Sequence, residues 1–313
     1  KIMRVNLKQA ANLIRNCGTT NTFILRGRPG VGKSSILHML SKELPDYLPC
    51  YIDVANLDLG DLGMPVINKD TMETHYAPNA RFGIGANQHR PVLLMLDELG
   101  KASRPVLNML LPVILEKRFA DRGLTTGSII FATTNLDTDG VGDNIPAHAY
   151  NRMSELIVAG PTVDEWLEWA IPNGIEAEVC AWVHQYPHAL ASYTDAAQAD
   201  NPYIYNPKKV QTSFVSPRSL ERVSHIVQVR DQLDADSLIC AMSGAVGEAA
   251  ARDMQAYIEF ADQLPTWESV IADPKTAKVP EGAGACAIMV FGAIAKVDKS
   301  SMTKFMEYLE RFE

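Results

Sequence analysis

Between residues 22 and 158, short apolar runs alternate with stretches whose apolar positions recur at helical spacing. This is the pattern of a sheet assembled from strand–helix units. Strands are expected at 22–26, 51–55, 92–96, 129–133 and 156–159; most are uninterrupted apolar runs, as parallel strands covered on both faces should be. Past Pro161 the pattern turns helical, over 163–170, 175–186, 217–233, 237–264, 286–297 and 301–312. Two irregular stretches interrupt it, 192–215 with Pro202 and Pro207, and 265–284 with Pro274 and Pro280. The expected organisation is an α/β domain with a five-stranded parallel sheet at 1–160, an α-helical lid at 161–235 and a helical C-terminal extension at 236–313.

Composition removes whole classes of answer. With 47% hydrophobic and 21% charged residues, the 313-residue chain can bury substantial cores and does not resemble a disordered one. Its 37 acidic against 29 basic side chains leave a net charge of −8, so no global positive field draws it to nucleic acid or anionic lipid, although a local basic channel stays open. The five cysteines are scattered and lack a CxxC pair, which argues against a disulfide framework or a thiolate zinc site. No apolar run approaches the ~20 residues that span a bilayer, and no charged-then-apolar leader opens the chain. A soluble, cytoplasmic protein away from membranes is expected.

Candidate chemistry enters with Gly27-Arg28-Pro29-Gly30-Val31-Gly32-Lys33-Ser34, which satisfies GxxxxGK[ST] between an apolar strand and a helical run that Pro45 stops. Phosphates carry dense negative charge; glycines let backbone N–H groups converge on them, and a helix N-terminus adds its positive dipole end. Arg28, Pro29, Gly30, Val31, Gly32, Lys33, Ser34 and Ser35 are therefore expected to contact ATP or ADP, with Lys33 on the β and γ phosphates and Ser34 on Mg²⁺.

The run Val92-Leu93-Leu94-Met95-Leu96 then delivers Asp97-Glu98 at a strand end, where open α/β sheets place ligands. Asp97 is expected in the Mg²⁺ shell and Glu98 as the group that polarises an attacking water. Ser128-Ile129-Ile130-Phe131-Ala132-Thr133-Thr134-Asn135 is a further buried strand with a polar end. Asn135 is either an ordinary turn residue or the group that orients that water, and the two preceding motifs favour the second.

Two arginines complete the set. Arg152 stands just ahead of the fifth strand, and Arg218 at a helix start where Ser216 is a suitable N-cap and Pro217 suits the first turn. Read alone, each is a solvated surface cation. An arginine reaching a γ phosphate would instead neutralise charge in the transition state.

The phosphate loop, LLMLDEL, IIFATTN, the segment from Ile145 through Tyr150-Asn151-Arg152-Met153, and SPRSLERVS occur in the order that resembles an AAA+ ATPase of the MoxR branch, over about residues 20–235. The resemblance implies an AAA+ P-loop ATPase core with a lid, Arg152 as the trans-acting arginine finger and Arg218 as the lid arginine called sensor 2. It also implies a homo-oligomeric ring, most often a hexamer, and chaperone-like remodelling of a protein substrate, often with a von Willebrand factor A domain partner. Two departures stand out: residues 116–128 are short for the hairpin insert common in that branch, and Pro112 should kink the preceding helix.

The weaker signals give a direction but no chemistry. Residues 57–91 form an irregular insertion with several glycines, and so long a connection is usually functional. The branch places an insert near the ring pore here, which nominates 66–76 for contact with substrate or partner, a disordered loop being the alternative. Lys69, Arg81 and Arg90 are met by Asp61, Asp70 and Glu73, poor equipment for gripping phosphate backbones. His184 and His188 have metal-like spacing, but Pro187 breaks the helix that would align them. The small residues 241–247 and the apolar stripe Phe305, Met306, Leu309 and Phe312 read as packing surfaces first and docking surfaces second. The leading expectation is a Mg²⁺-dependent remodelling ATPase; the alternatives are a DNA-directed motor or helicase loader and a nucleotide-gated binding module with little turnover.

Overall fold

The computed structural model describes residues 3–85, 87–119, 122–136 and 145–312. They fall into two compact units, Lys1–Gly160 and Pro161–Glu313.

In the first unit, helix α1 (Leu7–Cys17) begins at an Asn6 cap whose side chain accepts from the Gln9 amide while Gln9 returns the bond. It is followed by β1 (Phe23–Arg26), α2 (Ser35–Glu43), β2 (Leu48–Asp53), α3 (Leu59–Leu62), the hairpin β3 (Gly63–Ile67) and β4 (Thr74–Pro78), and β5 (Val92–Asp97). Next come α4 (Arg104–Glu116), the short hairpin β6 (Arg118–Phe119) and β7 (Arg122–Gly123), β8 (Ile129–Thr134), α5 (Ala147–Tyr150) and β9 (Ser154–Ile157). The five long strands form one sheet in the order β2-β5-β8-β1-β9, all pairs parallel. Helices flank this sheet and a helical region follows it, which is the expected fold class.

Side-chain alternation along β5 shows why its sequence is continuously apolar. Val92, Leu94 and Leu96 enter a core with Val106, Leu107 and Leu110 of α4, whereas Leu93 and Met95 enter a second core with Ala10 and Ile14 of α1 and Ile36 and Leu40 of α2. Every β5 residue is buried as a result. Helix α4 continues through Pro112 to Glu116, one turn beyond the proline. The 57–91 insertion is not irregular throughout: α3 and the β3–β4 hairpin occupy much of it, with Val66 paired to His75 and Pro65 to Tyr76.

The second unit is helical: α6 (Val163–Ala170), α7 (Ala177–Gln185), α8 (Pro217–Gln228), α9 (Ala235–Val246), α10 (Glu248–Asp262), α11 (Trp267–Ala272), α12 (Ala283–Ile294) and α13 (Met302–Leu309). Trp166, Trp182, Leu220, Val223, Met242 and Met254 share one core, to which Ile288 of α12 also belongs. Val270, Met289, Phe305 and Tyr308 make a smaller one. Helix α11 lies inside the stretch expected to be irregular; six residues starting at a Thr266 cap are too few to show a period.

The helix expected over 237–264 is two helices, because Gly247 adopts φ 89° and ψ 156°, a conformation essentially confined to glycine. A β-carbon there would also lie 3.1 Å from the Ser213 carbonyl oxygen. Gly247→Ala is expected to cost about 1–3 kcal/mol of stability, measured by urea unfolding followed through the fluorescence of the buried Trp182.

Candidate nucleotide-binding site

The parallel register brings the ends of four strands to one edge: Asp53 of β2 stands beside Asp97 of β5, and Arg26 of β1 beside Thr134 of β8. The chain leaves β1 through Gly27, whose amide donates to the Thr134 carbonyl at 3.3 Å, and turns into α2 through residues 28–34. Gly30 and Gly32 hold φ 78° and 98° on either side of Val31. Left-handed residues at this spacing let successive amides face one concavity, and a β-carbon at Gly32 would lie 3.0 Å from Leu7 Cδ1.

Lys33 is only 9% exposed. Its Nζ donates to the Gly27 carbonyl, to the Arg28 carbonyl at 3.0 Å and to Asn135 Oδ1 at 3.4 Å. The ammonium therefore folds back over its own loop, on oxygens that phosphate oxygens can replace. Behind it Ser34 Oγ donates to Asp97 Oδ2 at 3.2 Å. A serine hydroxyl beside a carboxylate is a hard oxygen pair, the donor set Mg²⁺ takes when phosphates and water fill its remaining positions. No group of three His, Cys, Asp or Glu residues among the described residues could hold a metal by itself. The residues present thus fit a Mg²⁺–nucleotide complex rather than a metal caged by protein alone.

Asp97 is 8% exposed, and two further hydroxyls hold it. Tyr51 OH donates to Oδ2 at 2.9 Å, and Thr133 Oγ1 donates to Oδ1. Thr133 Oγ1 in turn accepts from the Glu98 amide at 3.0 Å, so a single side chain ties together the two acidic residues. Burial first, then the hydrogen bond to Asp97, raise the Tyr51 phenol above its ordinary range and keep it a donor. Glu98 sits at φ 56°, uncommon outside glycine, and its Oε2 lies 2.7 Å from Lys101 Nζ.

The structure therefore brings together Lys33, Ser34, Asp97 and Asn135, with Glu98 joined through Thr133. Arg28 lies against Gly160, where a β-carbon would approach its Nη2 to 2.6 Å; Val31 is buried, and Pro29 and Ser35 lie on the rim and surface of the loop. Arg152 is exposed on the turn between α5 and β9, without an ion pair among the described residues. Arg218 belongs to the other unit, exposed in the first turn of α8, where Ser216 caps the helix by accepting from the Ser219 amide. Tyr51, Thr133 and Lys101 escape sequence reading, since their relation to the acidic pair exists only across strands or through a turn. His184 and His188 meet different neighbours, Phe291 and Tyr203.

Thr133→Val keeps the volume but strips Asp97 of one donor and the Glu98 amide of its acceptor. The expected loss is about 1–3 kcal/mol of stability, measured by urea unfolding.

No protein-family model matches the chain, and no curated protein matches it. Among solved structures, it is similar to NtrX from Brucella abortus in complex with ADP, at 13% identity and TM-score 0.43, over 99% of this chain and 68% of that one. It is also similar to the RuvB Holliday junction branch migration motor of Thermotoga maritima, at 16% identity and TM-score 0.40, over 97% and 86%. Likenesses this loose carry no functional argument, so the chemistry rests on the chain's own residues.

Proposed function

We propose that this chain is a Mg²⁺-dependent AAA+ ATPase that assembles into a ring and converts ATP hydrolysis into remodelling of a protein partner, in the manner of the MoxR branch. One observation carries the nucleotide chemistry: Ser34 Oγ and Asp97 meet at 3.2 Å directly behind a loop whose lysine also reaches Asn135. Lys33 would bind the β and γ phosphates, and Ser34 and Asp97 would hold Mg²⁺. Bound there, Mg²⁺ supplies neutralisation of the charge that develops across the β and γ oxygens. Tyr51 and Thr133 keep the Asp97 carboxylate oriented. Glu98 takes a proton from the attacking water, Asn135 holds that water in line, and Arg152 of a neighbouring copy completes the charge compensation, with Arg218 assisting from the lid.

The β3–β4 hairpin supports a protein partner over DNA. Met64, Val66, Ile67, Met72 and Tyr76 are 47–77% exposed on it, whereas its charged residues are Lys69, Asp70 and Glu73. Exposed apolar side chains of this kind suit a polypeptide; a phosphate backbone asks for a basic stripe. A second reading, a nucleotide-gated module with little turnover, is favoured by the Glu98–Lys101 pair, which occupies the carboxylate that would act as base.

Steady-state hydrolysis separates these readings. Glu98→Gln is expected to retain ATP while losing about 10²-fold or more of turnover; undiminished turnover removes Glu98 as the base, and negligible turnover of the assembled wild type with its partner favours the gated module. Mixing Arg152→Ala subunits with Lys33→Ala subunits is expected to restore activity that neither has alone. Mixed rings that form and stay inactive at every ratio count against a finger acting in trans.

A further inference from the structure

Strand β1 ends on an arginine where its other positions, Phe23, Ile24 and Leu25, are buried and apolar. Arg26 is itself only 9% exposed, in a strand with neighbours on both sides, β8 and β9. A cation placed there is costly unless its hydrogen bonds are made. Two of its contacts reach one segment of the chain, an ion pair from Nε that lacks hydrogen-bond alignment and a hydrogen bond from Nη2. Arg26 Nε lies 2.7 Å from Glu155 Oε1, Nη2 donates to the Tyr150 hydroxyl, and the guanidinium carbon stands 5.0 Å from the centre of the Tyr150 ring.

Tyr150 and Glu155 bracket Arg152. Tyr150 is the last residue of α5; the Arg152 amide then donates to the Ala149 carbonyl at 3.1 Å and the Met153 amide to the Tyr150 carbonyl at 3.1 Å, which forms the turn that feeds β9 and Glu155. One guanidinium therefore grips both shoulders of the turn that presents Arg152. The residue after Arg26 is Gly27, whose carbonyl receives Lys33 Nζ. One hydrogen bond, one peptide bond and the length of the Arg26 side chain separate the lysine of the loop from the clamp on the Arg152 turn.

We infer that Arg26, acting through Tyr150 and Glu155, is a positioning residue that fixes where Arg152 is offered to the adjoining copy. The inference rests on the trans role proposed above for Arg152. Arg26 touches no reacting atom in this scheme. It sets the geometry of a charge that acts elsewhere, and a displacement of about 1 Å in such a group can cost about 10²-fold in rate.

The test separates giving the arginine from receiving it. Subunits carrying Arg152→Ala have an intact loop and no finger of their own, and Lys33→Ala subunits supply the finger. With Tyr150→Phe added to the Lys33→Ala donor, rescue is expected to fall about ten- to hundredfold. With Tyr150→Phe added instead to the Arg152→Ala acceptor, rescue by the plain Lys33→Ala donor is expected to stay within about twofold, and ATP affinity measured by calorimetry on Tyr150→Phe alone to stay within about twofold. Glu155→Gln, on the other shoulder, is expected to repeat the asymmetry and stands in should Tyr150→Phe fail to fold. Equal rescue by both donors overturns the inference while leaving the trans role intact, and equal loss in both arms overturns it in favour of general structural damage. Absence of rescue from the plain pair overturns the trans role itself, and the inference with it.

Discussion

A carboxylate at the end of a strand buried on both faces is the constraint around which the first unit is arranged. Asp97 has little access to water, so its oxygens must be met by protein donors, and three hydroxyls from three different elements do so: Ser34 at the head of α2, Tyr51 on β2 and Thr133 on β8. Each of these can reach it only if the parallel register is right. Shifting β8 by one residue would turn Thr133 to the opposite face and leave Asp97 and the Glu98 amide short of partners together. The polar satisfaction of one acid and the order of the sheet are thus the same requirement seen at two scales.

That requirement also explains what the sequence could disclose. The phosphate-loop pattern, Asp97-Glu98 and Asn135 stand out in the sequence because each is written in adjacent letters, and the strands that carry them are apolar enough to be seen. The edge strands lie two or three residues ahead of the apolar runs that mark them. Strand β2 begins at Leu48, ahead of the expected start, which Pro49 obscures by lowering the propensity of the run; as one of its sides pairs with no other strand among the described residues, the missing amide is tolerated. At the opposite edge, β9 opens with Ser154 and Glu155, polar residues that hide a strand whose outer side meets only an isolated bridge from Val5, whose amide donates to the Ile157 carbonyl at 2.9 Å.

What stayed hidden in the site is relational. Tyr51 looks like one more strand residue until β2 pairs with β5 and its hydroxyl arrives at Asp97. Arg26 looks like a charged strand terminus until β9 brings Glu155 alongside β1. In the second unit the break at Gly247 depends on a backbone angle and a close carbonyl, neither of which leaves a trace in hydrophobic periodicity. Sequence discloses the letters of a site; cross-strand register discloses its grammar.

The alternation of β5 into two cores has a consequence for how this chain tolerates change. Because Leu94 and Leu96 answer to α4 while Leu93 and Met95 answer to α1 and α2, the strand is a beam resting on two independent bearings. Enlarging or shrinking a side chain in either bearing tilts the same beam tip, and the tip carries the acid. Drift in two separate hydrophobic interiors is thereby filtered through a single set of oxygen atoms, and substitutions far apart on opposite faces of the sheet become answerable to each other.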